Sequence, residues 1–215
     1  IDPFVPVVPE IFLRNQKGMQ GGDPLAPGLQ ADARNAWQEA SRIAAQTADR
    51  LMEIGVHKQH ANRVLEPFLW TTMVISATDW GGFFRQRIHA DAQPEMRELA
   101  EKIRDAMEAS VPIRKLAGER HLPYVDPLEH HAARISVARC ARASYGKPGE
   151  GRDDVVLFEA LKELGHWSPF EHVAIARNDR EFSGPLGLSN FRGWTQFRRV
   201  LEIDVTRSDA GDGDD

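Results

Sequence analysis

At 215 residues, with 41% apolar and 27% charged positions, the chain is long enough for one substantial domain or two small ones, and its composition is not that of a disordered protein. No apolar run approaches the ~18 residues that a membrane-spanning helix needs, and a net charge of −5 argues against a general nucleic-acid coat while leaving room for arginines around one phosphate. The single cysteine, Cys140, excludes an internal disulfide and a multi-cysteine zinc site and points to a reducing compartment, the cytoplasm.

Residues 1–30 are dense in proline and glycine (Pro3, Pro6, Pro9, Pro24, Pro27; Gly18, Gly21, Gly22). Proline denies the backbone regular pairing, so an extended arm or lid loop is expected, with a short strand near Glu10–Leu13. From Ala31 to Ile54 the spacing of Trp37, Ala40, Ala44, Thr47, Leu51 and Ile54 predicts a helix, and Gly55 is placed to stop it. A shorter helix is expected from His57 to Glu66, ending before Pro67. Phe68 to Ile75, rich in β-branched and aromatic residues, reads as a strand. Asp79 to Phe84 reads as a bend or short helix. A third helix starts near Asp91, carries Pro94 in its first turn and reaches Ser110, with Met96, Leu99, Ile103 and Met107 as its buried stripe.

Residues 111–132 lack a period. Ile135 to Ser144 reads as a strand, and Gly146–Arg152 as a polar turn. Asp153-Asp154 then open a helix that buries Val156, Leu157, Ala160 and Leu164 and stops at Gly165. Glu171–Ala176 reads as a strand. Ser189–Leu201 reads as a helix, from Phe191, Trp194, Phe197 and Leu201 at spacings of three and four. The acidic end reads as a disordered tail.

Four groups of residues invite chemistry. His57, His60 and the pair His130-His131 lack the His-Glu-x-x-His or cysteine-pair spacing of a zinc site, so surface histidines are the expectation and no metal is assigned. Cys140, on a predicted strand between Arg139 and Arg142, reads as a small buried hydrophobe; on a strand those two arginines face opposite ways and do not jointly activate it. Arg63, Arg85, Arg87, Arg192, Arg198 and Arg199 have forks that match phosphate geometry, although singly each is as well explained by pairing with the 32 carboxylates. Gly165-His166-Trp167-Ser168-Pro169-Phe170-Glu171-His172 compresses a helix stop, a rigid turn and a strand start into eight residues. Such a junction aims side chains at a sheet end, or it is a turn with a capping histidine.

That last segment strongly resembles the Gly-His-x-(Ser/Thr)-Pro-Phe-Glu-His stretch of flavin-dependent thymidylate synthases of the ThyX type. Ala141-Arg142-Ala143-Ser144-Tyr145 is similar to the family's Ala-Arg-x-Ser-(Phe/Tyr). Arg87-Ile88-His89-Ala90-Asp91-Ala92-Gln93-Pro94-Glu95-Met96-Arg97 resembles its Arg-x-x-x-x-Ala-Gln-x-Glu-Ile-Arg. The run from Gly55 to Pro67 resembles Gly-Val-x-x-Glu-x-Ala-Arg-x-x-Leu-Pro, with Gln59 in place of Glu and either Asn62 or Arg63 as the counterpart of its Arg. Two departures stand out. The halves are exchanged relative to the family order, as in a circular permutation. The family's full Arg-His-Arg signature is absent too, and Arg192 to Arg199 resembles only its approach; the remainder is expected ahead of Ile1.

The resemblance implies an α+β fold, a twisted and mainly antiparallel sheet with long helices beside it. It implies one domain over residues 31–203, with permuted halves 31–110 and 133–203, an arm at 1–30 and a tail at 204–215. The implied activity is reductive methylation of dUMP at C5 using methylenetetrahydrofolate, FAD and NADPH. Arg87 and His172 would be catalytic. Arg87, Arg63, Asn62, Arg192 and Gln93 would hold the nucleotide, and Ser144, His172, Ser168, Arg198 and Arg199 the FAD. A homo-oligomer, a tetramer by family, is implied, with no membrane or nucleic-acid partner. Hydroxymethylation of dUMP on the same scaffold, or a catalytically inactive nucleotide-binding or assembly relative, are the alternatives. A metal hydrolase built from the histidines is a distant third.

Overall fold

The computed structural model describes residues 5–18, 20–145, 153–178 and 191–202. The Gly146–Arg152 turn and the tail from Asp204 lie outside them. Long helices and a small antiparallel sheet make an α+β fold. The chain divides into two compact units, residues 1–71 with 81–110, and residues 72–80 with 111–215.

In the first unit, α1 spans Pro27–Glu53, with proline in its first turn. It ends where Gly55 takes φ +87°, a conformation that favours glycine. A single turn, α2 (Lys58–Ala61), is capped by His57, whose Nδ1 accepts from the Gln59 N–H. A 3-10 helix follows over Asn62–Phe68 and contains Pro67 instead of stopping before it. Both pack on α1. Trp37 of α1 stacks edge-on against Phe12 and Phe68, with ring centroids at 6.1 and 5.4 Å. Helix α3 (Gly81–Arg87) packs against α4 (Pro94–Ala109).

In the second unit, α5 (Ala132–Arg142) packs on α6 (Asp154–Glu163). The Asp153 carboxylate caps α6 by accepting from the Val155 N–H at 2.8 Å. The sheet has the order β1 (Arg120–His121), β2 (Ala174–Ala176), β3 (Trp194–Gln196), antiparallel throughout, with Ile175 opposite both Arg120 and Thr195. Its core is Val137, Phe158, Phe170 and Val173, with Leu122, Leu161, Trp167 and Phe197 packed around it.

Several expectations are corrected. Phe68–Ile75 forms no strand: the 3-10 helix ends at Phe68 and an irregular segment follows. The strand expected at Ile135–Ser144 is α5 plus a 3-10 turn, Ala143–Tyr145, because its apolar residues also satisfy a helical face that buries Ser136, Val137 and Cys140. Residues 194–196 pair with β2, so the expected Ser189–Leu201 helix is confined to 197–202 among the described residues. Glu171 closes a 3-10 turn, Ser168–Glu171, and strand structure begins only at Ala174. Near Glu10–Leu13 there is an isolated bridge, Leu13 to Pro24. The stripe of α4 is not a buried one: Met96, Leu99 and Met107 are exposed and Ala100 is fully buried. In α6 the buried residue is Phe158, whereas Val156 and Leu164 face solvent.

Candidate functional site

In the first unit, residues 12–18 and 20–25 fold back on one another. Leu25 N–H donates to the Phe12 carbonyl at 3.0 Å, Arg14 N–H to the Asp23 carbonyl at 2.8 Å, and Gly22 N–H to the Arg14 carbonyl at 2.8 Å. Gly21 is required there, since a Cβ would lie 2.7 Å from the Leu13 Cβ. The Gln30 carboxamide fixes the base of the loop by bonding both the N–H and the carbonyl of Phe12, at 2.9 and 2.8 Å. Opposite lies the turn into α4, where the Gln93 carbonyl accepts the first helical bond, from Arg97 N–H at 2.9 Å. Between loop and turn is a cavity of about 600 Å³, bordered by Gln16, Gln20, Asp91, Gln93 and Arg97. Its carboxamides, one guanidinium and carboxylates suit a polar ligand that both donates and accepts hydrogen bonds.

Of the predicted nucleotide residues in this unit, Gln93 lines that cavity. Arg87, in the last turn of α3, is exposed and is not part of its wall. Arg63 pairs with Glu66 across 3.6 Å on the exposed side of the 3-10 helix that Asn62 opens. Arg97 and the 16–22 loop were not among the predicted site residues. Arg97 closes the Arg87–Arg97 motif, so a signal for it stood in the sequence.

In the second unit, His172 follows the Ser168–Glu171 turn and leads into β2. Its Nδ1 lies 3.2 Å from the Ser76 hydroxyl. Burial lowers the His172 pKa; the neighbouring Glu171 raises it and His121 lowers it further. Burial also lowers that of His121, aided by Lys115. Both rings are therefore held toward the neutral form. Ser168 and Ser144 are exposed at the start and middle of 3-10 turns. The Arg192 N–H donates to the Thr78 hydroxyl at 3.0 Å, and its guanidinium lies 4.0 Å from Asp79. Arg198 pairs with Glu171 and, at 2.8 Å, with Glu202; Arg199 reaches Glu202 at 3.7 Å. A second cavity, about 540 Å³ at the start of α5, contains none of the predicted site residues.

Cys140 lies on α5, not on a strand, and burial pushes its thiol up to about 12, which opposes use as a nucleophile. On a helix Arg139 and Arg142, three apart, share a face, and both bind Asp154. Among the described residues no group of three or more His, Cys, Asp or Glu is placed to hold a metal ion, and no helix is long and apolar enough to cross a membrane.

The donor set divides on a flavin, the cofactor on which ThyX-type proteins depend. His172, half-buried with one nitrogen engaged, and the two serines suit the polar edge of such a group. Arg198 and Arg199, already neutralised by Glu171 and Glu202, do not suit its pyrophosphate.

No curated protein and no solved structure matches the chain. A family model does: thymidylate synthase complementing protein, Thy1, over residues 7–113. The match covers about half of the chain, takes in the loop that walls the first cavity and the whole Arg87–Arg97 motif, and stops short of the Ser-Pro-Phe-Glu-His segment. It supports a thymidylate synthase-type enzyme. The chain belongs to the ThyX-type family of thymidylate synthase complementing proteins.

Proposed function

We propose that the chain methylates dUMP at C5, taking the carbon from methylenetetrahydrofolate and using FAD and NADPH for the reduction. The observation that carries this reading is the family match spanning both walls of the 600 Å³ cavity, that is, the 12–25 loop and the Gln93–Arg97 turn. In this reading Gln93 and Arg97 contact the nucleotide inside the cavity, Arg87 and Arg63 or Asn62 supply charge or hydrogen bonds to it, and Arg192, in the second unit, is kept as a candidate nucleotide contact of its own. Ser144, Ser168 and His172 contact the flavin. When bound, a reduced flavin supplies the hydride equivalent that a methyl product requires. His172, kept neutral by burial, both donates and accepts hydrogen bonds without adding charge. The residues 31–110 and 133–203 are read as permuted halves of one family domain. The exposed apolar face of α4, at Met96, Leu99 and Met107, supports a homo-oligomer, and the cytoplasm is the location that goes with this reading.

An inactive nucleotide-binding relative is the second reading, favoured by the carboxylate partners of Arg198 and Arg199. An absorbance spectrum after incubation with FAD and desalting, then titration with dUMP, separates the two. Retained flavin bands that shift with dUMP, followed by a product of dTMP mass, establish the first. A hydroxymethyl product mass would redirect it to the alternative alkylation. Nucleotide binding with no flavin retained and no turnover would establish the second.

A further inference from the structure

Residues 72–80 are flanked on both sides by the first unit and pack in the second. Two of their side chains touch residues that the proposed function assigns to ligands. The Ser76 hydroxyl meets His172 Nδ1 at 3.2 Å, and two residues on, the Thr78 hydroxyl accepts from the Arg192 N–H at 3.0 Å. The Cα atoms of Ser76 and Thr78 are at most ~7 Å apart, so one short stretch fixes two candidate ligand contacts, His172 and Arg192, that lie twenty positions apart in the chain. Asp79, 4.0 Å from the Arg192 guanidinium, adds a third tie.

We propose that Ser76 is a positioning residue for His172: its hydroxyl occupies Nδ1 and thereby makes Nε2 the nitrogen presented to a bound ligand. Ser76 belongs to none of the motifs, and the inference rests on the proposed function only for the identity of that ligand. A serine hydroxyl both donates and accepts, so the contact selects which nitrogen is free without dictating which carries the proton. The other titratable groups acting on the ring are Glu171, its chain neighbour, and His121 of β1. Among the described residues neither has a hydrogen bond to the ring, and Ser76 is the partner that engages Nδ1.

The test is long-range proton–nitrogen NMR of the histidine rings in the full chain, with FAD affinity measured beside it. In the unsubstituted protein the His172 Nδ1 resonance is expected to carry the signature of a hydrogen bond; finding it on Nε2 instead would overturn the proposal without any variant. Ser76→Ala is expected to move that resonance and weaken FAD binding by about tenfold, and Ser76→Thr, which keeps the hydroxyl, to restore both. Unchanged ring resonances in Ser76→Ala would overturn it. Should the ring respond to Ser76 while the unsubstituted protein retains no FAD, the flavin reading fails and the positioning stands. If FAD binds equally to the unsubstituted protein and to Ser76→Ala, the positioning fails and the flavin reading stands.

Discussion

Trp37 donates its indole N–H to the Val7 carbonyl at 2.8 Å, and this bond fastens the proline-rich N-terminal segment to the longest helix. The same ring packs on Phe12 and Phe68, so one side chain holds the loop that walls the cavity and the 3-10 helix behind it. Trp37→Ala is expected to destabilise the first unit by about 2 kcal/mol, below the full cost of a buried aromatic because Trp37 is only half-buried. Cleavage by trypsin at Arg14 and Lys17 should then be faster than in the unsubstituted chain. An unaltered cleavage pattern would mean that the loop is held by other contacts.

Among the described residues Arg97 is the only cation lining that cavity, and it has no carboxylate partner. Replacing it with Ala is expected to weaken dUMP binding by roughly tenfold or more, the scale of a charge-assisted hydrogen bond. Isothermal titration of Arg97→Ala beside Arg87→Ala measures this. Loss in Arg87→Ala alone would move the nucleotide out of the cavity.

Asp154 neutralises Arg139 and Arg142 together, with the three side chains only 14–22% exposed. Burial and the charge of Arg139 already lower the Arg142 pKa, and its Nε and Nη1 have no hydrogen-bond partner among the described residues. Asp154→Asn leaves Arg142 without a carboxylate partner among the described residues and Arg139 with Glu129 alone, at 3.5 Å, at a cost of about 3 kcal/mol. Chemical denaturation reads this directly, and a midpoint within error of the unsubstituted protein would refute it.

Two imidazoles, the half-buried His172 and the more exposed His121, make the fold sensitive to acid. Burial lowers the pKa of His121 and of His172 below the ordinary 6.5. The unfolded chain therefore takes up protons first as the pH falls. The stabilisation is complete above about pH 6.5, is lost as the pH drops through that value, and stops declining only below the lowered folded pKa values. Denaturation midpoints at pH 7.5, 6.5 and 5.5 should fall in that order, and His172→Gln should flatten the slope. A flat profile in the unsubstituted protein would contradict it.

Cys140 titrates about three pH units above an ordinary thiol, at about 12 against 9.0. At pH 8 its thiolate is thus roughly a thousandfold scarcer than normal, and only the thiolate attacks. A chromogenic disulfide reagent should react with it slowly in the native protein and promptly in denaturant. Rapid native labelling would mean that α5 opens readily.

Helices α1, α4 and α6 were legible because their apolar residues recur at helical spacing and their ends carry Gly55, Pro94, Asp153 and Gly165, although the first turn of α1, from Pro27, was read as part of the arm. The weak alternation over 135–144 suited a strand as well as a helix, and only packing against α6 decides it. Strands of two or three residues are too short to show a period of two. The buried stripe of α4 was misread because a sequence shows which face is apolar and not what covers it. Gln93 was legible through its motif. Ser76 was not, since its meeting with His172 spans 96 positions and an isolated serine in an irregular segment carries no pattern.

Residues 72–80 also govern how the chain comes apart and together. The chain crosses between units at 71/72, 80/81 and 110/111, so a single nick anywhere leaves the two units covalently joined. A truncation after residue 110 would keep Ser76, Thr78 and Asp79 while removing every partner described for them. During synthesis these nine residues leave the ribosome ahead of the rest of their unit. Ser76 and Thr78 cannot meet His172 and Arg192 until those residues follow, so the second unit cannot finish assembling before the first unit's sequence is wholly made.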